Sequence, residues 1–167
     1  MEHGYSPFRI ARYFIEKAAA SSKPLTPMQL IKLVYIAHGW NLALSKAKVP
    51  EPLITECIQA WKYGPVIESL YHAFKHRGNS SIPKEDAEGF PSEEIDPWTS
   101  GLLDKVWEKY GNLTGVRLSA LTHQEGTPWH DVWEKEGGKD CKRKLIKNEK
   151  IREFYSAKLT TPTGSGH

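Results

Sequence analysis

Cysteine is scarce in this chain: two residues, Cys57 and Cys141, in 167. Two thiols without a CxxC spacing build neither a disulfide framework nor a Cys-rich zinc site. Long apolar runs are missing as well. The longest covers residues 33–37, against the roughly 18 residues that a membrane-spanning helix requires. The first twenty residues hold no basic flank followed by an apolar block, so no secretory signal is read. No phosphate cradle of the GxGxxG or GxxxxGK(S/T) type occurs, and neither does HExxH or GxSxG. Charge of one sign is not in excess. The 23 Lys/Arg stand against 20 Asp/Glu for a net +3, which by itself does not imply nucleic acid. These absences argue against a membrane protein, a secreted disulfide scaffold and the commoner nucleotide-binding or hydrolytic enzymes. The expectation is a cytoplasmic protein with reduced thiols and no bound cofactor.

Aromatic residues are abundant: six Trp, seven Tyr and five Phe. The length suits roughly one domain, placed at 5–158, with a disordered polar tail at 159–167. Charge is unevenly spread. Residues 1–84 carry 11 Lys/Arg against 5 Asp/Glu, and residues 85–167 carry 12 against 15. Residues 85–96 hold six acids and no base, and residues 139–152 hold seven bases against two acids. Either segment could steer a partner, or be no more than a solvated loop and helix face.

Helix signals dominate the chain. Ser6-Pro7 supplies a capping hydroxyl and then proline at the first helical position, with apolar residues at helical spacing through Ser21. Thr26 and Gln29 make a capping box for a helix to about Ser45. That helix is apolar on nearly its whole circumference, so it reads as the buried centre. Gly39 inside it suggests close approach by another backbone. Pro50 and Pro52 break the chain, and residues 53–62 read as a short strand or hairpin rich in β-branched types. Gly64-Pro65 reads as the start of a helix ending at Arg77-Gly78. Residues 78–97 form one long acidic loop, and such loops are usually functional or mobile. Further helices are expected at 98–110, 115–122, from 128 and at 148–159. The predicted fold is mainly α, a helical domain of six to seven helices with one small β element.

The densest polar cluster, residues 122–131, contains His123, Glu125, His130 and Asp131. Gly126 and Pro128 break any single helix between the two histidines, so convergence on a metal is not expected. Instead, His123 and Glu125 should tie the end of one helix to the start of the next through backbone hydrogen bonds. Pairings such as Cys57 with His38, or Ser119 with His123, carry no nucleophile signature. No catalytic residue is assigned. Trp61-Lys62-Tyr63-Gly64-Pro65 is the other dense motif, with rigid aromatic area on both sides of a cation. Trp61, Lys62, Tyr63, Pro65 and Tyr71 are therefore the candidate partner-binding residues. Alternatively, the aromatics simply cap the core, and Tyr35, Trp61, Tyr71 and Trp129 are expected to pack together near Gly39 and Gly64.

Three motifs in order resemble the signature of the Panacea antitoxin domain. They are Lys32-Leu33-Val34-Tyr35 with Ala37-His38-Gly39-Trp40; Ile58 to Val66 with Leu70-Tyr71; and Leu118-Ser119, Leu121-Thr122-His123, Glu125 and Pro128-Trp129. The resemblance spans residues 5–135 well and 148–156 faintly. The turn at 45–49 departs from it in lacking a glycine. On this resemblance Lys32, Tyr35, His38, Gly39, Trp40, Gly64, His123, Glu125, Pro128 and Trp129 are structural signature residues. It implies a non-enzymatic antitoxin of a bacterial or prophage pair, whose partner is a toxin protein encoded by an adjacent gene. A DNA-binding regulator of its own operon, or a protease adaptor, is the alternative.

Overall fold

The computed structural model describes residues 4–49 and 51–160. Pro50 and positions 161–167 of the expected tail lie outside the described residues. Seven helices and three short strands are found among the rest. Helix α1, Pro7–Ala20, is capped by Ser6, whose side chain accepts from the Phe8 N–H. Helix α2, Pro27–Leu44, opens with the capping box: Thr26 Oγ1 accepts from Gln29 N–H, and Gln29 Oε1 accepts from Thr26 N–H. Thirteen of its 18 residues are buried, which makes it the axis on which α1, α4, α5 and α7 pack. Each fully buried Leu, Ile or Val there contributes about 1.5–3 kcal/mol.

Strand β1, Ile58–Trp61, is the middle of an antiparallel sheet in the order β2-β1-β3. Its partners are β2, Gly64–Val66, and β3, Lys144–Ile146. Gln59 pairs with Val66 and Trp61 with Gly64 on one side, and Ile58 pairs with Ile146 on the other. Here the sequence expectation is corrected. Gly64-Pro65 does not start a helix; it is the return strand of a hairpin whose connection is Lys62-Tyr63. Proline suits both roles, because an edge strand, like a helix N-terminus, has N–H groups it can spare. Helix α3 begins only at Glu68 and runs Glu68–Phe74. Strand β3 was hidden in the basic segment, where only Ile146 of its three residues is buried.

Helix α4, Pro97–Tyr110, is capped by Asp96, and α5, Gly115–His123, by Thr114. Helix α6, Pro128–His130, is one turn that continues as a π-helical turn over Asp131–Lys135. Helix α7, Asn148–Thr160, packs on α2, so Leu159 and Thr160 are helical rather than part of a tail. Gly39 marks that contact. A Cβ built there would lie 2.3 Å from the Tyr155 ring, so the close approach is made by an aromatic side chain and not by backbone.

The segment 78–97 is not structureless. It contains a 3₁₀ turn, Lys84–Ala87, and buries Ile82, Ala87 and Ile95 against the core. Arg77 grips Asp86 with two hydrogen bonds, and Arg12 Nη1 donates to the Phe90 carbonyl. Arg9 Nε donates to the Glu93 carbonyl.

Candidate functional site

The Lys62-Tyr63 turn projects from the sheet, and Tyr63 is 62% exposed. Gly64 allows this turn: its φ of +114° strains any L-residue, and an added Cβ would press on Lys32 Nζ at 3.0 Å. The turn is held from beneath by three helices. Lys32 of α2 donates to the carbonyls of Tyr63 (3.2 Å) and Pro65 (2.8 Å). Ser119 of α5 donates to the same Tyr63 carbonyl at 2.8 Å. Trp129 of α6 donates its indole N–H to the Trp61 carbonyl at 2.5 Å. The exposed turn is thus fixed by donors that are themselves buried.

Lys32 is 3% exposed and its two partners are neutral carbonyls. Burial penalises its charged form and pulls the ammonium down to about 7. It lies at the floor of a groove of about 500 Å³ beside the hairpin. Ile31 and Met28 of α2, Trp61, Tyr63 and Val66 of the hairpin and Tyr71 of α3 line it. Lys62 and Lys75 stand at its edge, and no carboxylate lines it. Trp61 packs edge-on against Tyr71 with ring centroids 4.8 Å apart, while its indole N–H goes to Gln59. A second depression of about 320 Å³ adjoins, lined by Trp133, Lys139, Lys142 and Arg143 and sharing Trp61 and Lys62.

The structure therefore places Trp61, Lys62, Tyr63 and Tyr71 along one groove. Pro65 is buried in β2 and takes no part in the exposed surface, which corrects its place among the contact residues. Met28, Ile31 and Lys75 were missed. Lys75 follows Tyr71 by four residues, a helical spacing that would have put both on one face; Met28 and Ile31 carried no such signal.

The expected aromatic cluster divides. Tyr35 and Trp40 pack on Tyr155 beside Gly39, Trp61 packs on Tyr71, and Trp129 stacks on Trp133. The Trp129–Trp61 hydrogen bond joins the latter two groups. Trp61 is half-buried rather than a core residue. His123 bonds the Ser119 carbonyl of its own helix and sets its ring edge-on to Trp129. Glu125 is exposed and does not join the helices. That junction belongs to Thr127, which donates to the Gln124 carbonyl and accepts from His130 N–H. Pro128, at the first position of α6, is buried beside it.

His38 is buried. Its Nδ1 accepts from Leu53 N–H, so Nε2 carries the proton and donates to Asn148 Oδ1 at 2.9 Å. Both nitrogens are engaged in joining α2, the 53–54 segment and α7, and the exposed Cys57 has no base there. Ser119 spends its hydroxyl proton on Tyr63. Among the described residues, no three His, Cys, Asp or Glu side chains converge as metal ligands, and no helix is long and apolar enough to cross a membrane.

A family model described as "Antitoxin SocA-like, Panacea domain" matches residues 30–130, from α2 through α6. The protein named "Antitoxin SocA" of Caulobacter vibrioides (strain NA1000 / CB15N) is 28% identical over 170 aligned positions, covering 94% of this chain and 87% of that protein. No solved structure matches.

Proposed function

This chain belongs to the Antitoxin SocA-like, Panacea domain family, and from that premise we propose that it neutralises a co-encoded toxin by direct protein–protein binding. The contact surface is the β1–β2 hairpin and its groove. One observation carries this reading: the turn is exposed, aromatic and cationic, yet three helices fix its carbonyls from below. A surface ordered before binding loses little conformational entropy on association, and Trp, Tyr and a cation are the usual material of interface hot spots. Lys62 lies 5.5 Å from the Tyr63 ring centroid and pairs with no carboxylate among the described residues, which leaves its ammonium free for a charge-assisted contact.

The test is co-expression with the protein of the adjacent gene. Wild type should rescue growth and co-purify with it. The double change Lys62→Glu with Tyr63→Ala should weaken the complex by at least tenfold and abolish rescue. Both side chains are exposed, so the melting temperature should move by no more than a few degrees. Full rescue by this variant, with the complex intact, would place the contact elsewhere, the basic segment 139–152 being the next surface to examine. Binding of promoter DNA in place of any protein, with affinity falling linearly in log salt, would replace this reading with that of a regulator.

A further inference from the structure

Resting on the toxin-binding reading, the groove beside the hairpin has an occupant of definite chemistry. We propose that it receives a carboxylate-bearing segment of the partner, with an Asp or Glu side chain directed toward Lys32, Lys62 and Lys75 and a neighbouring apolar residue laid on Trp61 and Tyr71. Charge complementarity is the first argument. Three lysine amines line one groove and no carboxylate does. Lys139 and Arg143 in the adjoining depression are offset by Glu134 and Glu68, leaving Lys142 there unpaired, whereas none of Lys32, Lys62 and Lys75 has an ion pair among the described residues.

The second argument is Lys32 itself. A lysine that is 3% exposed and bonded to two carbonyls has a third N–H and no counter-charge. Removal from water makes an unpaired ammonium costly. A carboxylate brought to the groove would offset that cost in a low-dielectric setting, where the attraction is stronger than at an open surface. The walls agree with a protein segment. They are aliphatic and aromatic, and Tyr71 already takes up part of Trp61 at 4.8 Å, which leaves room for an aliphatic side chain more readily than for a run of stacked bases. Strand addition is not the mode of binding, because β2 is buried and carries Pro65, which has no N–H to donate. Recognition is through side chains.

A probe independent of the toxin separates this proposal from the reading it rests on. The intact protein, labelled with ¹⁵N, is titrated with the peptide acetyl-Glu-Phe-Glu-Leu-Glu-amide and with its Gln counterpart. Shifts should be confined to the Trp61 indole and the amides along the groove, at 28–32, 61–64, 66, 71 and 75–79. The Glu peptide should bind at least tenfold tighter than the Gln peptide, and Lys62→Glu with Lys75→Glu should remove that difference. Equal binding of the two peptides, absence of shifts at several millimolar, or shifts elsewhere would overturn the proposal. Displacement of the peptide by a 20-base-pair duplex that binds the groove more tightly would also overturn it, in favour of nucleic acid. If the Glu peptide binds here while no neighbouring protein does, the groove chemistry stands and the antitoxin reading falls. If the toxin complex survives both lysine changes, the antitoxin reading stands and this proposal falls.

Discussion

His38 and Lys32 are two buried bases on one helix, and each makes stability depend on pH in its own window. Burial lowers His38 from its ordinary value near 6.5 to about 4, and the Asn148 hydrogen bond only partly opposes that. Between those values the unfolded chain binds a proton that the folded chain does not. Stability is therefore fully present above about pH 6.5 and lost as pH falls toward 4, by about 3 kcal/mol at about 1.4 kcal/mol per unit. Lys32, lowered to about 7, obeys the same sign in a higher range. Its unfolded form holds a proton between about 7 and 10.5 that the folded form lacks, so its contribution rises with pH across that window. Urea unfolding at pH 4.5, 5.5 and 6.5 should show the first loss in wild type and a flatter response in His38→Gln. Comparison of wild type with Lys32→Met from pH 7 to 9 should show a rising difference in favour of wild type. A constant difference would mean that Lys32 stays charged in the folded protein.

At the scale of elements, the α2–α7 contact is the one most sensitive to a single methyl group. Alanine at position 39 would gain up to about 1 kcal/mol of helix propensity. Its Cβ would, however, meet Tyr155 ring atoms at 2.3–2.9 Å, and overpacking of this kind costs typically 1–3 kcal/mol. Tyr155 is 4% exposed and hemmed in by Tyr35, Trp40 and Phe154, so the ring has little room to yield. Gly39→Ala should lower stability by about 1–2 kcal/mol in chemical denaturation, and much of that loss should vanish when the residue at 155 is Leu. A Gly39→Ala protein at least as stable as wild type would show that α7 shifts freely on α2.

For the whole molecule, the division of charge follows the fold more than a partner. Three of the six acids in 85–96 have internal work. Asp86 binds Arg77, Asp96 caps α4 and accepts from Tyr5, and Glu93 lies 3.8 Å from Arg9. Glu85, Glu88 and Glu94 are exposed. Changing those three to Gln should move the melting temperature by only a degree or two. Asp96→Ala should cost about 1 kcal/mol through the lost cap. If the exposed three nevertheless slow association with the proposed toxin partner when neutralised, the loop steers a basic patch on it in addition to the proposed groove contact; unchanged association would argue against a steering role for the loop.

What the chain determined by itself was what is local. Caps at Ser6 and Thr26 sit within three residues of the N–H groups they bind, so those two helix starts were legible along the sequence, as was the apolar circumference of α2. Pro65 was misread because its fixed φ and missing N–H suit a helix start and an edge strand equally, and only pairing with Ala60 decides between them. Strand β3 was invisible because a three-residue strand with one buried side chain has almost no periodicity, and exists through Ile58 and Gln59 across the ladder. The candidate site divides in the same way. Trp61, Lys62, Tyr63 and Tyr71 were legible as an aromatic and cationic motif. Lys32 beneath the turn, Ser119 and Trp129 as its braces and the absence of any acid from the groove were decided by tertiary structure. A buried ammonium draws its meaning from groups 31 to 33 positions away in the chain, which only the packing of α2 against the hairpin brings together.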